Sequence, residues 1–386
     1  MTDARARVLH VITQLELGGA QQNTLYTCAH LDRSRFAPSL ACGPGGLLDE
    51  EARGTADLPV RFVPSLVRPV RPHRDLAALV ALRRAISELR PDIVHTHSSK
   101  AGIVGRWAAR FAGVRRIVHS IHGFGFHPGQ PAPVRSAYIA AERATARITT
   151  AFIAVSRANQ RQGESLGLFP ASRCRVIRSG ISLGPYRASA RQAGAFRAEL
   201  GLGAGDPLVG MVACLKRQKA PLDFIDVASR VLTAMPRATF VLAGDGELRP
   251  QVEDAIRAVS GGPARVRLLG WRRDIDRILA DLDVLLLTSR WEGLPRVLPE
   301  AMAAGRAAVA TAVDGSPEAV EDGVSGYLVP PGDTAHMARR VLELLADPGL
   351  RARMGAAGQA RSEEWDIDAM VRAQEELYGE LLAAPA

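Results

Sequence analysis

The chain has few cysteines, few aromatic residues and no long apolar run. Its four cysteines form no Cys-x-x-Cys pair, which argues against a zinc site and against a disulfide framework. Aromatic residues make up 5% of the chain and do not alternate with arginines, so no nucleic-acid partner is expected. No apolar run approaches the ~18–20 residues of a membrane-spanning helix. The first apolar run, residues 8–12, is too short for a signal peptide. We therefore predict a cytoplasmic protein.

The phosphate-binding fingerprints of nucleotide enzymes are also missing. Gly18 and Gly19 lie between the first apolar run and a predicted helix, where glycines let backbone amides approach an anion. No Gly-x-Gly-x-x-Gly pattern and no Walker lysine follow, which disfavours dinucleotide and ATP sites. Three Asp-x-Asp pairs precede predicted helices or strands, where helix capping explains them. We predict no metal site.

Positive charge is concentrated in the first half of the chain. Residues 1–180 carry 25 Lys/Arg against 12 Asp/Glu, net +13, while the remainder carries 24 against 28, net −4. Arg68, Arg71 and Arg74 form one of several arginine-rich stretches. A basic half attracts an acidic membrane leaflet or a phosphate-bearing substrate, although arginines on ordinary solvated faces would give the same count.

At 386 residues the chain is long enough for two domains. Both halves alternate short apolar runs with longer helical segments, which is typical of doubly wound α/β sheets. The predicted strands of the first half cover residues 8–12, 39–41, 93–96, 117–121, 151–155 and 174–177. Those of the second half cover residues 208–212, 239–243, 266–269, 284–287 and 308–311. We predict a first domain over 1–181, a linker region over 182–206, a second domain over 207–364 and a terminal amphipathic helix over 365–386.

Two glutamates mark the most informative stretch. Glu292 follows the apolar run at 284–287, and Glu300 lies about one turn into the next predicted helix. Ligands of open α/β sheets bind at this edge, where strands end and helices begin. Because an ionised carboxylate only accepts hydrogen bonds, it suits hydroxyl groups rather than phosphates. The pair therefore favours a ligand with hydroxyls at both ends and phosphate between them, as in a nucleotide sugar.

Three further loops follow predicted strands of the second half. The first carries Cys214, Lys216 and Lys219, the second carries Gly244, and the third carries Trp271 and Arg272. Each is a weak signal alone. Together with the glutamate stretch they place four loops at the carboxyl ends of one predicted sheet.

Histidines cluster in the first half. His122 follows a predicted strand beside a glycine, where it can hydrogen-bond a hydroxyl or shuttle a proton near neutral pH. His95 and His97 lie on the preceding strand, and we expect their side chains to point to opposite faces, in a structural or acceptor-side role.

The motif Glu-Gly-Leu-Pro with Glu-Ala-Met, whose two glutamates are Glu292 and Glu300, resembles the donor motif of family 4 retaining glycosyltransferases, which have the GT-B fold. The opening of the chain and the stretch around His122 look like those of enzymes that build bacterial surface polysaccharide. The resemblance implies two Rossmann-like domains facing a cleft: an N-terminal acceptor-binding domain and a C-terminal nucleotide-sugar-binding domain. It also implies that the terminal helix crosses back to the first domain.

The resemblance assigns roles to particular residues. Glu292 contacts the donor sugar, Glu300 the ribose hydroxyls, and the backbone around Gly293, Leu294 and Val297 faces the diphosphate. Lys219 neutralises the diphosphate, and Gly18, Gly19 and Gly244 lie in phosphate-facing loops. Trp271 and Arg272 lie near the nucleobase, and His122 lies near the transferred sugar. The family has an arginine where this chain has Cys214, so Lys216 is the candidate replacement, although a lysine cannot make a bidentate guanidinium contact.

These features predict a retaining glycosyltransferase that transfers a hexose from a nucleotide sugar, with UDP favoured over GDP. The expected acceptor is a glycan or a polyprenyl-diphosphate-linked glycan in bacterial surface polysaccharide synthesis. No cofactor or metal is expected, and the basic half is expected to make peripheral contact with an acidic membrane. A nonhydrolysing UDP-sugar 2-epimerase and a non-catalytic nucleotide-sugar-binding subunit remain alternatives.

Overall fold

The computed structural model describes residues 5–127 and 129–384. The chain folds into two compact units. The first consists of Met1–Gly180 together with Ile367–Ala386, and the second of Ile181–Asp366. Among the described residues, no helix combines the length and the apolar character needed to cross a bilayer.

The first unit is built on a seven-stranded, fully parallel sheet in the order β3-β2-β1-β4-β5-β6-β7. Its strands are β1 (Ala6–Gln14), β2 (Phe36–Gly43), β3 (Val60–Phe62), β4 (Ile93–His97), β5 (Arg116–Ile121), β6 (Ala151–Ala154) and β7 (Cys174–Val176). The central strands are buried on both faces, so they read in the sequence as continuous apolar runs. The strand order reverses direction between β1 and β4, which makes that junction the topological switch point of the unit.

Helices cover both faces of this sheet. They are α1 (Gly19–His30), α2 (Asp49–Gly54), α3 (Pro72–Leu89), α4 (Ser99–Phe111), α5 (Ala132–Ala146) and α6 (Arg157–Ser165), with a 3-10 turn over Ala171–Arg173. The glycines of α4 permit close packing on the sheet. A Cβ at Gly105 would lie 3.1 Å from Thr96 and 3.3 Å from Val11.

The second unit has a six-stranded parallel sheet in the order β10-β9-β8-β11-β12-β13. Its strands are β8 (Leu208–Val212), β9 (Thr239–Ala243), β10 (Val266–Gly270), β11 (Val284–Leu287), β12 (Ala307–Thr311) and β13 (Gly326–Val329). The switch point of this sheet lies between β8 and β11. The predicted doubly wound α/β architecture is confirmed for both halves.

The helices of the second unit are α7 (Leu183–Ala190), α8 (Ala195–Glu199), α9 (Pro221–Ala234), α10 (Arg249–Ala258), α11 (Gly262–Arg265), α12 (Ile275–Asp281), α13 (Val297–Ala303), α14 (Ser316–Ala319), α15 (Thr334–Ala346) and α16 (Pro348–Ala360), followed by a 3-10 turn over Ser362–Trp365. The last helix, α17 (Ile367–Ala383), rejoins the first unit. There Met370, Val371, Leu377 and Tyr378 pack into the same core cluster as Val8 of β1 and Ile93 of β4.

Three expectations about organisation differ from the structure. Residues 182–206 form no free linker, because α7 and α8 fold there and pack on α12 within the second unit. The terminal segment that returns to the first unit begins at Ile367 rather than at residue 365, since Trp365 is buried in the second unit. The strands β3 and β13 were not expected at all. Both lie at sheet edges and have only three or four residues, which gives little apolar pattern to detect.

Candidate functional site

Four neighbouring strands of the second unit deliver the predicted loops to one edge of the sheet. In the order β10-β9-β8-β11 they are followed by Trp271 and Arg272, by Gly244, by the Lys216–Lys219 loop and by Glu292. The loops after β8 and β11 therefore flank the switch point, which is where open α/β sheets bind their ligands.

Lys219 and Glu292 meet across that switch point. The Lys219 Nζ lies 2.5 Å from the Glu292 Oε1, and only 4% of the Glu292 side chain is exposed. The Ser289 hydroxyl donates to the same carboxylate oxygen at 2.6 Å. Separating the pair would leave the Glu292 carboxylate buried without its cation, which would strongly destabilise the folded protein. The pair therefore holds both loops together at the edge of the sheet.

The loop after β8 is further tied to the loop after β11 by backbone and side-chain bonds. Gln218 accepts at its backbone carbonyl from the amide of Arg290 at 2.7 Å, and its side-chain amide donates to the carbonyl of Trp291 at 3.0 Å. The Thr288 hydroxyl contacts the Lys219 and Ala220 carbonyl oxygens at 3.0 Å each. Lys219 is thus held at the position from which it reaches Glu292.

Asp314, in the loop after β12, holds the backbone of Glu292. Its Oδ2 accepts from the backbone amide of Glu292 at 2.6 Å. Asp314 adopts a left-handed backbone with φ of 43°, a conformation that costs a non-glycine residue free energy. Burial raises the pKa of Asp314, with Glu292 adding to the effect, while the amide hydrogen bond opposes it. The sequence offered no signal for this residue, because it lies 22 positions beyond Glu292.

Glu300 lies in the first turn of α13 with 8% of the residue exposed. Burial raises the pKa of Glu300, whereas Arg296 and a hydrogen bond to Tyr186 lower it. The Arg296 guanidinium is 3.6 Å from Glu300 Oε1. Tyr186 belongs to α7, within the stretch expected to be a linker, so its contribution was missed. Gly293, Leu294 and Val297, between the two glutamates, are also buried.

The loops after β9 and β10 have structural contacts of their own. A Cβ on Gly244 would lie 1.9 Å from the carbonyl oxygen of Ala213, so this glycine lets the loop after β9 press against the loop after β8. Arg272 is held by Glu199 at 2.6 Å and by Asp274 at 2.7 Å. Those hydrogen bonds raise the pKa of Arg272, the bond to Asp274 having the larger effect and the bond to Glu199 the next largest. Trp271 beside it is 46% exposed.

The remaining predicted residues lie on the expected loops. Lys216 is half-buried, three positions before Lys219, and Cys214 is half-buried two positions earlier. In the first unit, Gly18 is the N-cap of α1 and Gly19 its first residue. The structure therefore brings Lys219 into direct contact with Glu292. The part of every one of these residues in binding, Lys219 and Glu292 included, stays a prediction.

The first unit carries a histidine cluster that runs from His10 in the middle of β1, through His95 and His97 of β4, to His122 just after β5. His10 Nδ1 lies 3.1 Å from His97 Nε2, and His97 Nδ1 lies 3.1 Å from His122 Nε2. His95 bonds Tyr378 at 2.5 Å and Ser120 at 2.7 Å. The expectation that His95 and His97 point to opposite faces was wrong. Residues two apart on a strand share a face, and the two rings are 4.1 Å apart.

Burial keeps this cluster neutral. It lowers the pKa of His10 to about 3 and that of His122 to about 4, and it lowers the pKa of His95, His97 and His119 well below the usual value. A neutral imidazole has one N–H and one acceptor nitrogen. The Nε2 of His10 is buried without a partner among the described residues, and a lone pair is less costly to leave unpaired than an N–H. With the lone pair on His10 Nε2, His10 Nδ1–H donates to His97 Nε2, and His97 Nδ1–H donates to His122 Nε2. The one proton of neutral His122 is then on its Nδ1.

The ligand nitrogens of His10, His95 and His97 lie within 4.8 Å of one another, as in a metal site. However, both ring nitrogens of His95 and of His97 already have hydrogen-bond partners. This arrangement favours a hydrogen-bond network. Members of two of the Asp-x-Asp pairs are likewise engaged, although Asp274 makes no side-chain capping bond to α12 and Asp281 instead accepts amides from the first turn of α8. Asp274 pairs with Arg272, and Asp281 accepts the amides of Phe196 and Arg197 at 2.7 and 2.9 Å.

These two parallel-sheet units, with carboxylate and lysine loops at the second switch point, define the GT-B class of glycosyltransferases. The family model "Glycosyltransferase Family 4" matches residues 17–184, and the model "Glycosyl transferases group 1" matches residues 206–347. This chain belongs to the family 4 glycosyltransferases and is a glycosyltransferase.

Relatives and solved structures agree with that assignment. The chain is 31% identical to the UDP-Gal:alpha-D-GlcNAc-diphosphoundecaprenol alpha-1,3-galactosyltransferase of Escherichia coli, over 85% of each chain. It is 30% identical to the alpha-maltose-1-phosphate synthase of Mycobacterium tuberculosis, over 70% of this chain and 73% of that one. The Anabaena protein HepE, solved with UDP and glucose, is 23% identical with a TM-score of 0.83, over 97% of this chain and 100% of that chain. Sucrose-phosphate synthase from Thermosynechococcus elongatus gives a TM-score of 0.85 at 20% identity, over 99% and 100%.

Proposed function

We propose that this glycosyltransferase transfers a hexose from a UDP-sugar to a lipid-linked glycan, with retention of anomeric configuration, in the synthesis of a bacterial surface polysaccharide. The observation that carries the proposal is the Lys219–Glu292 contact at the switch point of the second unit. The names of similar proteins support the choice of substrates. The Escherichia coli relative uses UDP-galactose and a diphosphoundecaprenol-linked acceptor, and HepE was solved with UDP and glucose.

The residues of the second unit divide the donor between them. Glu292 accepts hydrogen bonds from hydroxyls of the transferred sugar, and Glu300 accepts those of the ribose. Lys219, joined by Lys216, neutralises the diphosphate, whose negative charge grows as it leaves. In the structure Lys219 is paired with Glu292, so the arriving diphosphate shares its ammonium group and frees a carboxylate oxygen for the sugar.

The reaction breaks the bond between the anomeric carbon and the diphosphate and forms one to the acceptor hydroxyl oxygen. The acceptor proton leaves with the diphosphate. His122 is unsuited to be a general base, because burial lowers its pKa to about 4 and so opposes the charged form. Its Nδ1–H instead hydrogen-bonds a sugar hydroxyl. With lysines and backbone amides taking the leaving-group charge, the proposed reaction needs no metal and no cofactor.

The first unit also supports peripheral contact with an acidic membrane. On α3, Leu76 is 65% exposed and Val80, one turn later, is 59% exposed. Arg74, Arg83 and Arg84 are exposed on the same helix. An exposed apolar stripe with an arginine rim is the pattern of a helix that lies in the membrane interface. Such contact would bring the enzyme to acceptors held in the inner leaflet of the plasma membrane.

A transfer assay tests the proposal. The enzyme is incubated with UDP-hexoses or GDP-hexoses, alone and with polyprenyl-diphosphate-linked glycans, and the products are analysed for anomeric configuration. We expect a product only with a UDP-sugar and an acceptor together, with the configuration of the donor retained. Conversion of the donor without an acceptor would support a 2-epimerase. Donor binding with no transfer to any acceptor would support a non-catalytic subunit.

A further inference from the structure

The Glu300 carboxylate is buried, and its ion pair with Arg296 is long. Glu300 lies in the first turn of α13, and the guanidinium of Arg296, one turn earlier, lies 3.6 Å from its Oε1. That distance gives an ion pair but is too long for a hydrogen bond. Because a buried carboxylate without hydrogen-bond donors is costly, a donor from another helix has a large effect on this group.

Tyr186 of α7 supplies such a hydrogen bond through its hydroxyl. An ionised carboxylate only accepts, so the phenol O–H is the donor. Burial, followed by the negative charge of Glu300, raises the pKa of Tyr186, which keeps the phenol protonated and able to donate. Among the described residues, Arg296 and Asp276 of α12 are the other charged groups that act on this pair.

Hydrogen bonds on both sides of Tyr186 hold α7 in place. Before the helix, the amide of Ile181 donates to the carbonyl of Trp365 at 2.8 Å. In its last turn, the Ser189 hydroxyl donates to the Asp276 Oδ2 at 2.5 Å. The helix also packs on α13, which carries Glu300. The Tyr186 hydroxyl therefore reaches the carboxylate from a fixed position.

Tyr186 belongs neither to the glutamate motif nor to the lysine loop. It lies in the stretch 182–206, which composition indicates as a linker, and outside the ranges that the two family models match. Its contact with Glu300 arises from the tertiary structure of this chain, and no motif assigns it a role.

We infer that Tyr186 is a positioning residue of the donor site, whose hydroxyl fixes the direction of the Glu300 carboxylate toward the ribose of the nucleotide sugar. A carboxylate has about four lone-pair sites, so the bond from Tyr186 leaves others for the ribose hydroxyls. The bond also favours the ionised carboxylate, which is the form that accepts from hydroxyls. This inference rests on the proposed function and deepens it, because Glu300 touches the ribose and Tyr186 acts through Glu300.

Calorimetric titration of UDP into the wild type and Tyr186→Phe tests the effect on binding. Tyr186→Phe keeps the ring and removes the hydroxyl, and we expect it to weaken UDP binding about tenfold, as for a lost hydrogen bond to a charged group. Tyr327→Phe is the matched control, because it removes another tyrosine–glutamate bond of the same unit, from Tyr327 to Glu343 at 2.6 Å. Tyr327→Phe should leave UDP binding unchanged.

NMR titration of the Glu300 carboxyl carbon in the ligand-free protein tests whether Tyr186 acts on Glu300, with Glu300→Gln identifying the signal. Because the hydrogen bond favours the ionised form, the pKa of Glu300 should rise by about one pH unit in Tyr186→Phe. UDP affinity should then begin to fall at a higher pH in Tyr186→Phe than in the wild type, whereas the protonation of UDP itself is common to both. A tyrosine that only packs against α13 would change the stability without moving this pKa.

Wild-type UDP affinity in folded Tyr186→Phe, or an unmoved pKa of Glu300, would overturn the inference. In the wild type alone, the ring Cζ resonance of Tyr186 should shift as Glu300 titrates. A resonance that does not respond would overturn the inference even if the variant does not fold.

The choice of nucleotide separates this inference from the proposed function. Binding of GDP instead of UDP would reject the UDP-sugar donor, and the variants are then compared with GDP, which has the same ribose. Binding of neither nucleotide would reject both. Transfer from a UDP-sugar with full UDP affinity in Tyr186→Phe would keep the function and reject the inference.

Discussion

The two units share a doubly wound sheet but carry different chemistry on and after the strands at their switch points. At the first switch point and beside it, buried histidines are neutral and hydrogen-bond to one another. At the second, Lys219 and Glu292 form a close ion pair, and Glu300 in the first turn of α13 is buried. We expect sheet topology to select where a ligand binds, and the burial and pairing of a few side chains to decide which ligand fits.

Neutral and charged edges suit different partners. In the neutral imidazole network His122, which is half-buried, can offer a hydrogen bond of fixed direction to an uncharged hydroxyl, and the lowered pKa values keep the network neutral at physiological pH. The lysine and carboxylates of the second unit suit a ligand that carries both negative charge and hydroxyls. This contrast supports a donor nucleotide in the second unit and an acceptor glycan in the first.

The largest expected difference between the two units is in how their stability changes when the pH is lowered. A histidine whose folded pKa lies below its unfolded value stabilises the protein fully above about pH 6.5, and this stability is lost as the pH falls. Each should lose about 1.4 kcal/mol by pH 5.5, and the five histidines together at most about 7 kcal/mol. Glu300 has the opposite sign, because its raised pKa stabilises the folded protein on protonation. Hydrogen exchange at pH 7.5 and 5.5, corrected for intrinsic rates, should show loss of protection in the first unit.

His10→Leu tests the cause. It removes one buried titrating group and should reduce the acid-induced loss by about 1.4 kcal/mol. His73→Leu, on the exposed start of α3, should leave the pH dependence unchanged. Parallel loss of protection in both units would contradict the proposed contrast.

Removal of the Lys219 ammonium group at the switch point of the second unit should have the next largest effect. Lys219→Ala should lower turnover by about 10²–10³-fold, because the leaving diphosphate loses a preorganised positive charge. It should also destabilise the fold, since Glu292 is left buried without its cation. Steady-state kinetics and denaturant unfolding measure the two effects.

Two neighbours on the same loop serve as comparisons. Arg217→Ala, at an exposed position, should retain turnover. Lys216→Ala should lose turnover with little loss of stability if Lys216 replaces the arginine absent at Cys214. Wild-type rates for Lys216→Ala would mean that the missing positive charge comes from elsewhere.

Much of the fold could be predicted because buried parallel strands read as apolar runs. The predicted strands 208–212, 239–243 and 284–287 match β8, β9 and β11. Edge strands were missed because a short strand with one neighbour needs little apolar sequence, as in β3, where Arg61 is exposed. Helices α7 and α8 were taken for a linker because packing on α12, which local composition does not reveal, stabilises them.

The candidate site was predicted as separate motifs, without the contacts between them and without two of the residues that contact the glutamates. The glutamate motif and the lysine loop were both identified, but their distance in sequence hid the 2.5 Å contact. Tyr186 and Asp314 were missed because they meet the glutamates through tertiary structure alone. For His95 and His97 the strand was predicted and the geometry misread.

Asp314 should have a smaller effect, through Glu292. Asp314→Ala loses the acceptor for the Glu292 amide and places alanine in left-handed backbone. Loss of the hydrogen bond should cost on the order of 1–3 kcal/mol in transition-state stabilisation. Asp314→Gly removes the bond but tolerates the backbone, and Asp314→Asn keeps both. Turnover should fall in the order asparagine, glycine, alanine. Equal rates for all three would mean that the bond does not position Glu292.

Membrane binding should show the smallest change per residue. We expect reversible sedimentation with acidic vesicles that is lost at high ionic strength, and each basic residue should contribute ~1 kcal/mol. Arg71→Ala with Arg74→Ala should weaken binding more than Arg68→Ala, since Arg68 is paired with Glu16 at 2.8 Å. Arg273→Ala with Arg277→Ala, exposed in the second unit, is the control. Equal binding to neutral and acidic vesicles, or none to either, would favour a soluble acceptor.

The central claim is that the second unit binds the donor nucleotide through Glu300 at its charged edge. Calorimetric titration of UDP into the wild type, Glu300→Gln and the exposed-site control Glu376→Ala tests it most directly. We expect Glu300→Gln to lose on the order of 1–3 kcal/mol of binding free energy, and Glu376→Ala to lose none. Wild-type affinity should also weaken as the pH falls through the raised pKa of Glu300, a dependence that Glu300→Gln should lack. Unchanged UDP affinity in folded Glu300→Gln would contradict the account.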